Sequence, residues 1–301
     1  MPYINYVETD DNYNYYKPSD SLQNLFENKV ITPLRGSLPT VASNPNVIHD
    51  LSKTVLDRGR TNFDDFDESC QDYTPQNKVL LYCVYYMPMH LYSSYHFYTR
   101  HIPLIGIKNV VFIDFGCGPL TSGITFWAAA EERNITYIGI DRTQSMLAKA
   151  REINRYGYHP EFEVPFYPDV RFYLINDLQL PIASINGYEY YQLLQMLHNM
   201  LNLCNSDDTL IIFNFCYFLQ SKSIDDSNLE SLARVVQDVV DRYGSYKIFI
   251  GYQDPEGDRF QQKWYNFKSR LIGHPSFGNQ FTWRHLPPFF LEISMWLILL
   301  G

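Results

Sequence analysis

The sequence predicts an α/β protein: a mainly parallel, doubly wound sheet with an N-terminal helical extension. Three observations carry that expectation. From residue 110 onward, apolar stretches of strand length alternate with amphipathic stretches of helix length. Strands that read as continuous Val/Ile/Phe runs are buried on both faces, so helices must cover both sides of a parallel sheet. The first run, Val110-Val111-Phe112-Ile113-Asp114-Phe115, empties into a glycine turn, Gly116-Cys117-Gly118-Pro119. The second, Tyr137-Ile138-Gly139-Ile140-Asp141, stops on a carboxylate. A glycine turn after one strand and an acid at the end of the next is how such sheets grip the ribose of a nucleoside.

Residues 1–104 read as a helical and loop region covering a pocket, and 105–301 as the ligand-binding catalytic domain. Over 1–75 the periodicity is weak, and Pro18, Pro33, Gly36, Pro39 and Pro45 mark turns. Short helices are expected at 21–29 and 47–56, followed by an acidic cluster at Asp64, Asp65, Asp67 and Glu68. The aromatic stretch 78–101 reads as one or two helices interrupted near Pro88. Then come a strand at 110–115, a helix at 121–133 capped by Thr121 or Ser122, and a strand at 136–141. A helix at 145–156, a strand at 170–176 and a helix at 188–203 follow. A strand at 209–215 is the fourth of the sheet. Its helix at 229–243 carries Leu229, Leu232, Val236, Val239 and Val240 on one face. A strand at 247–252 and a helix at 259–271 complete the pattern. A competing placement makes 193–204 the fourth helix and 208–213 the fifth strand. The first placement leaves a whole helix and strand to finish the sheet.

The net charge of −9 and a pI near 5.3 give no general attraction to phosphate backbones, so duplex nucleic acid is not an expected partner. The five cysteines are odd in number, with no C-x-x-C pair, which fits free thiols in a reducing compartment and no structural zinc. The acidic, aromatic N-terminus lacks signal-peptide features, so a cytoplasmic location is expected. The apolar run 289–300 is too short to span a bilayer as a helix, which takes about 20 residues. It either packs internally or meets a partner. The 25 Tyr and 20 Phe fit either core packing or an aromatic-walled pocket for a planar or cationic group.

A dinucleotide turn needs a third glycine after two residues, G-x-G-x-x-G, to bring helix and strand together under a pyrophosphate. Here that position is Thr121. A nucleoside cofactor without phosphate has no such requirement. At three places the chain resembles the class I S-adenosylmethionine-dependent methyltransferases. Asp114-Phe115-Gly116-Cys117-Gly118-Pro119 is similar to their first motif. Tyr137-Ile138-Gly139-Ile140-Asp141, followed by Ser145-Met146-Leu147 and Ala150, is similar to their second. Asn176-Asp177-Leu178-Gln179-Leu180-Pro181 is similar to their third, and the resemblance spans about 105–255.

The resemblance implies S-adenosyl-L-methionine as cofactor, with Asp114, Gly116, Cys117 and Gly118 around its methionine part. Asp141, flanked by Arg142, would hold the ribose. Met146 would pack near the adenine, and Asn176, Asp177 and Leu178 would address the ring. Leu120 stands where the family has the third glycine of its loop. Each residue also has a plainer role: Asp141 as a helix cap, Met146 as core, Asp177 as a loop carboxylate and Cys117 as a small buried filler.

Methyl transfer from a sulfonium is an in-line displacement, so a protein contributes mainly orientation and exclusion of water. The acceptor is expected beyond the fourth strand, at Asn214-Phe215-Cys216-Tyr217-Phe218. This resembles the [DNS]-P-P-[YFW] motif of amino-methylating enzymes, without its two prolines. Asn214 and Tyr217 are the candidate catalytic residues. His90, His96 and His101 do not share one helical face, so no metal site is expected. The expected function is methyl transfer to an N or O acceptor, a small molecule or protein before RNA. The alternatives are a cofactor-binding regulatory or scaffold subunit, and an NAD-dependent oxidoreductase.

Overall fold

The computed structural model describes residues 4–9, 14–56, 66–70, 72–130, 133–156, 166–167, 170–174, 188–254, 258–272 and 289–290. A five-stranded parallel sheet forms its centre. In chain order its strands are β3 (Asn109–Phe115), β4 (Asn134–Asp141), β5 (Arg171–Leu174), β6 (Thr209–Cys216) and β7 (Lys247–Gln253). They lie in the order β5-β4-β3-β6-β7, that is 3-2-1-4-5, the order of a Rossmann-like fold. The Thr209–Cys216 strand pairs directly with β3, which decides between the two placements: it is the fourth strand, and β7 the fifth.

Alternation along each strand divides the core. Val111, Ile113 and Phe115 of β3 face one layer with Ile211, Phe213 and Phe215. That layer is α9 (Tyr188–Leu201), α10 (Asp226–Tyr243) and α11 (Asp258–Ile272). The five apolar residues expected on one face of α10 are all buried there. Val110 and Phe112 face the other layer, which holds α5 (Pro75–Tyr85), α6 (Met87–His101), α7 (Thr121–Ala129) and α8 (Gln144–Tyr156). Much of the aromatic content lies in this second layer. Phe112 stacks on Phe126 at 4.2 Å between centroids, and Tyr137 on Tyr167 at 4.9 Å.

The N-terminal region adds α1 (Asp20–Phe26), a π-helical turn (Glu27–Ile31), α2 (Thr32–Ser37), α3 (Pro39–Ala42) and α4 (Pro45–Thr54) to the second layer. The reading of 1–75 as helices and loops alone misses a hairpin, β1 (Ile4–Thr9) with β2 (Asn14–Pro18). The second strand, β2, pairs in part with Phe289–Phe290 (β8), a contact from the far end of the chain that no local pattern signals. The rest of the apolar run 289–300 lies outside the described residues. The break in 78–101 falls at Tyr86, with Pro88 in the first turn of α6, where a missing N–H costs least. Among the described residues no helix is long and apolar enough to cross a membrane.

Candidate functional site

Parallel strands joined by right-handed crossovers leave their following loops on one edge, and ligands bind where the strand order reverses. Here that point lies between β3 and β6. The loop after β3 turns back sharply. The amides of Gly116 and Cys117 both donate to the carbonyl of Ile140, at 2.7 and 3.0 Å. Gly116 (φ +69°), Gly118 (φ +51°) and Leu120 (φ 72°) are all left-handed, which two of them achieve by having no Cβ. Leu120 does so while fully buried, its side chain against Gly123. This places the cap of α7 elsewhere than expected: Leu120 occupies the cap position without a side-chain bond, and Thr121 is the first helical residue. A left-handed turn so close to the helix leaves no extended residue whose hydroxyl reaches the free amides.

Asp141 ties this loop to the next. Its Oδ2 accepts from the Gly118 amide at 2.9 Å, and its Oδ1 from the amide and hydroxyl of Thr143 at 3.0 and 2.9 Å. A carboxylate has about four acceptor positions, and the Arg142 backbone amide also acts on this one, so they are largely taken. Burial raises its pKa, against the pull of those bonds. The bond from Asp141 to Thr143 follows the Asx-turn pattern, a signal present in the sequence and passed over. Asp67, from the acidic cluster, caps α8 across the chain: its carboxylate accepts from the amides of Gln144 (2.6 Å) and Ser145 (3.0 Å). The buried hydroxyls of Thr121 and Ser145, at the starts of α7 and α8, have no hydrogen-bond partner among the described residues.

Of the other expected cofactor residues, Met146 is buried in the second-layer core. The Arg142 guanidinium donates to the Ser223 carbonyl at 3.4 Å. Cys117 is buried with its sulfur over Gly139, and burial pushes its thiol far above the usual range, so it is no thiolate nucleophile. Asn176, Asp177 and Leu178 lie outside the described residues.

Asn214 and Asp114 are brought together, but beneath the edge rather than on it. They are direct partners across β3 and β6, and both are fully buried. The Asn214 amide donates to Asp114 at 2.8 Å. Its oxygen accepts from the Tyr98 hydroxyl of α6 at 3.0 Å and from the Cys216 thiol at 3.1 Å. The Tyr137 hydroxyl donates to the other Asp114 oxygen at 2.5 Å. Burial pushes the Asp114 carboxyl up to about 7, even though both hydrogen bonds pull it down. Tyr98 and Tyr137 were not singled out from the sequence, because nothing local marks which tyrosines of an aromatic-rich chain face a strand acid.

Tyr217 follows β6 in a left-handed conformation, φ 57°. Its amide donates to the Gln253 carbonyl at 2.6 Å, which joins the loops after β6 and β7. Its ring stacks on His90 at 3.7 Å, and its hydroxyl shares a 2.5 Å hydrogen bond with Ser93, both on α6. Burial raises the Tyr217 phenol and lowers the His90 imidazole to about 3, so both are neutral near pH 7. Phe218, next in the chain, lies directly against Gly116: a Cβ there would collide with its ring. Among the described residues the reversal point is closed at the first glycine and open at Gly118, where an added Cβ meets only the Gly116 oxygen, at 4.0 Å. Among the described residues no group of three or more His, Cys, Asp and Glu could hold a metal ion. Compared with known proteins, the chain matches no family model and no curated protein.

Proposed function

We propose that this chain is an S-adenosylmethionine-dependent methyltransferase acting on an N or O acceptor, a small molecule or a protein. The observation that carries the reading is the joined pair of loops: a glycine turn after β3 held by the acid that ends β4, at the reversal point of the sheet. The polar groups there suit a nucleoside. Asp141 sets a carboxylate at the junction of the two loops, and Thr121 and Ser145 present buried hydroxyls without a hydrogen-bond partner among the described residues. Thr121 stands where a pyrophosphate-binding turn needs its third glycine, which weighs against NAD.

When bound, the cofactor supplies a methyl group already activated on a sulfonium. The chain then has to orient and to exclude water. Asp141 orients the ribose, and Met146 backs the adenine side. Asn214 shapes the floor under the loops, because its side chain is committed to Asp114, Tyr98 and Cys216. Tyr217 walls the acceptor side as a neutral phenol. A base is needed only for an acceptor that starts protonated.

One observation favours a second reading. Phe218 covers Gly116, where the cofactor would approach, and that suits a scaffold that keeps the fold without turnover. Calorimetry tests the cofactor that both readings require. S-adenosylhomocysteine is expected to bind the native protein, to lose affinity in Asp141→Ala and to gain it in Phe218→Ala. NAD is expected not to bind. Tight NAD binding, or no S-adenosylhomocysteine binding even in Phe218→Ala, overturns the proposal. Incubation with methyl-labelled cofactor and fractionated lysate then reads the acceptor class; no label in any fraction, with cofactor binding intact, favours the scaffold.

A further inference from the structure

Asp254 directly follows β7, on the edge of the sheet where ligands bind. Both of its carboxyl oxygens are buried, and neither meets the geometry of a hydrogen bond with any of the described residues. The Tyr252 hydroxyl lies close enough to favour the ionised form of the carboxyl. Lys263, whose charge acts on Asp254, donates its ammonium to the Ser221 carbonyl at 2.6 Å. Burial holds the Asp254 carboxyl well above the usual carboxylate range.

A buried carboxyl without a partner is costly, and more so when charged. Such a cost persists where something outside the resting fold meets the group, and perturbed acids in clefts mark such places. The surroundings narrow what that is. An anion is disfavoured by the acidic chain as a whole, whereas a cation would draw the carboxyl into its ionised form. Tyr217 borders Asp254 through the Gln253 bond, and Tyr252 presents a ring stacked flat on Trp264 at 4.4 Å. Aromatic faces beside a carboxylate favour a cation over a neutral hydroxyl.

We propose that Asp254 recognises a protonated amine on the acceptor molecule. That it is the acceptor rests on the methyltransferase reading above; that the site takes an amine does not. The ammonium would donate to the two carboxyl oxygens, and its carbon frame would lie along Tyr217 and Tyr252.

Saturation-transfer NMR with benzylamine and its neutral near-isostere benzyl alcohol tests this on the full chain. Benzylamine is expected to bind at least about tenfold more tightly than the alcohol, charge-assisted bonds being about twice as strong as neutral ones. Asp254→Asn is expected to abolish that preference, with a thermal melt showing the variant folded. Equal binding of amine and alcohol to the native protein overturns the proposal whatever the variant does. So does an undiminished preference in folded Asp254→Asn. S-adenosylhomocysteine calorimetry on the same samples reads the other claim separately: its failure with the amine preference intact sinks the methyltransferase reading and leaves the amine site standing.

Discussion

At position 120 the backbone takes φ 72° and ψ 24°, which costs a side chain with a Cβ about 1–2 kcal/mol. Leu120 stays because its buried side chain is worth more: truncating a buried leucine to alanine costs about 2–5 kcal/mol. The two terms separate in a pair of variants. Leu120→Ala loses the side chain and keeps the strain; Leu120→Gly loses both. Urea unfolding is expected to find the glycine variant more stable than the alanine one by about 1 kcal/mol, the reverse of the order at ordinary helical positions. Gly116 and Gly118 make a second contrast. Gly118→Ala meets open space and adds only the left-handed strain, about 1–2 kcal/mol. Gly116→Ala adds a collision with Phe218 and should cost more. Combining it with Phe218→Ala should recover the excess, read as a non-zero coupling in a double-mutant cycle. Both glycines and the acid at 141 were legible in the sequence, because their roles depend on neighbours in the chain. The Phe218 closure was not, since it depends on which loop lies opposite.

The elements of the sheet domain were largely legible for the same reason. Continuous apolar runs could only be strands buried on both faces, and the predicted 110–115 and 247–252 appear as Asn109–Phe115 and Lys247–Gln253. What escaped were features set by distant pairing. The β1–β2 hairpin is stitched in part by residues 289–290, and the cap of α8 comes from Asp67, 77 and 78 positions before the amides it meets. That cap makes the acidic cluster partly structural. Asp67→Ala should cost about 1 kcal/mol, as losing a cap does, and Asp67→Asn should recover most of it. Because the carboxylate also meets the positive end of the helix, the alanine effect measured by urea unfolding should shrink in high salt. An Asp67→Ala variant as stable as the native protein would mean the segment is not held on α8 in solution.

For the molecule as a whole, the consequential arrangement is the buried polar chain Tyr137–Asp114–Asn214–Tyr98, which runs through the β4, β3 and β6 strands into α6. It couples the floor of the candidate site to global stability through one titration. The Asp114 carboxyl is raised by burial from 3.8 to about 7, so between those values the folded state holds a proton that the unfolded state releases. Stability from this group is therefore fully present below about pH 4, falls as pH rises toward 7, and is flat above. The slope is at most ~1.4 kcal/mol per pH unit, that of a single proton. His90 runs the other way. Burial lowers it from 6.5 to about 3, so the unfolded state binds the extra proton and stability rises with pH across that window. In the native protein the two oppose each other between about pH 4 and 6.5. Asp114→Asn removes one side of the balance. It keeps a donor for the Tyr137 oxygen and an acceptor for the Asn214 amide, so the fold should survive. Urea unfolding from pH 4 to 8 should then show stability rising with pH more steeply in Asp114→Asn than in the native protein up to about 6.5, with parallel curves above 7. Parallel curves throughout would mean that Asp114 titrates in the fold as it does in the unfolded chain and is ionised over most of that range. The buried network would then have to hold a charge, and Tyr137 and Asn214 would be its only means of doing so among the described residues.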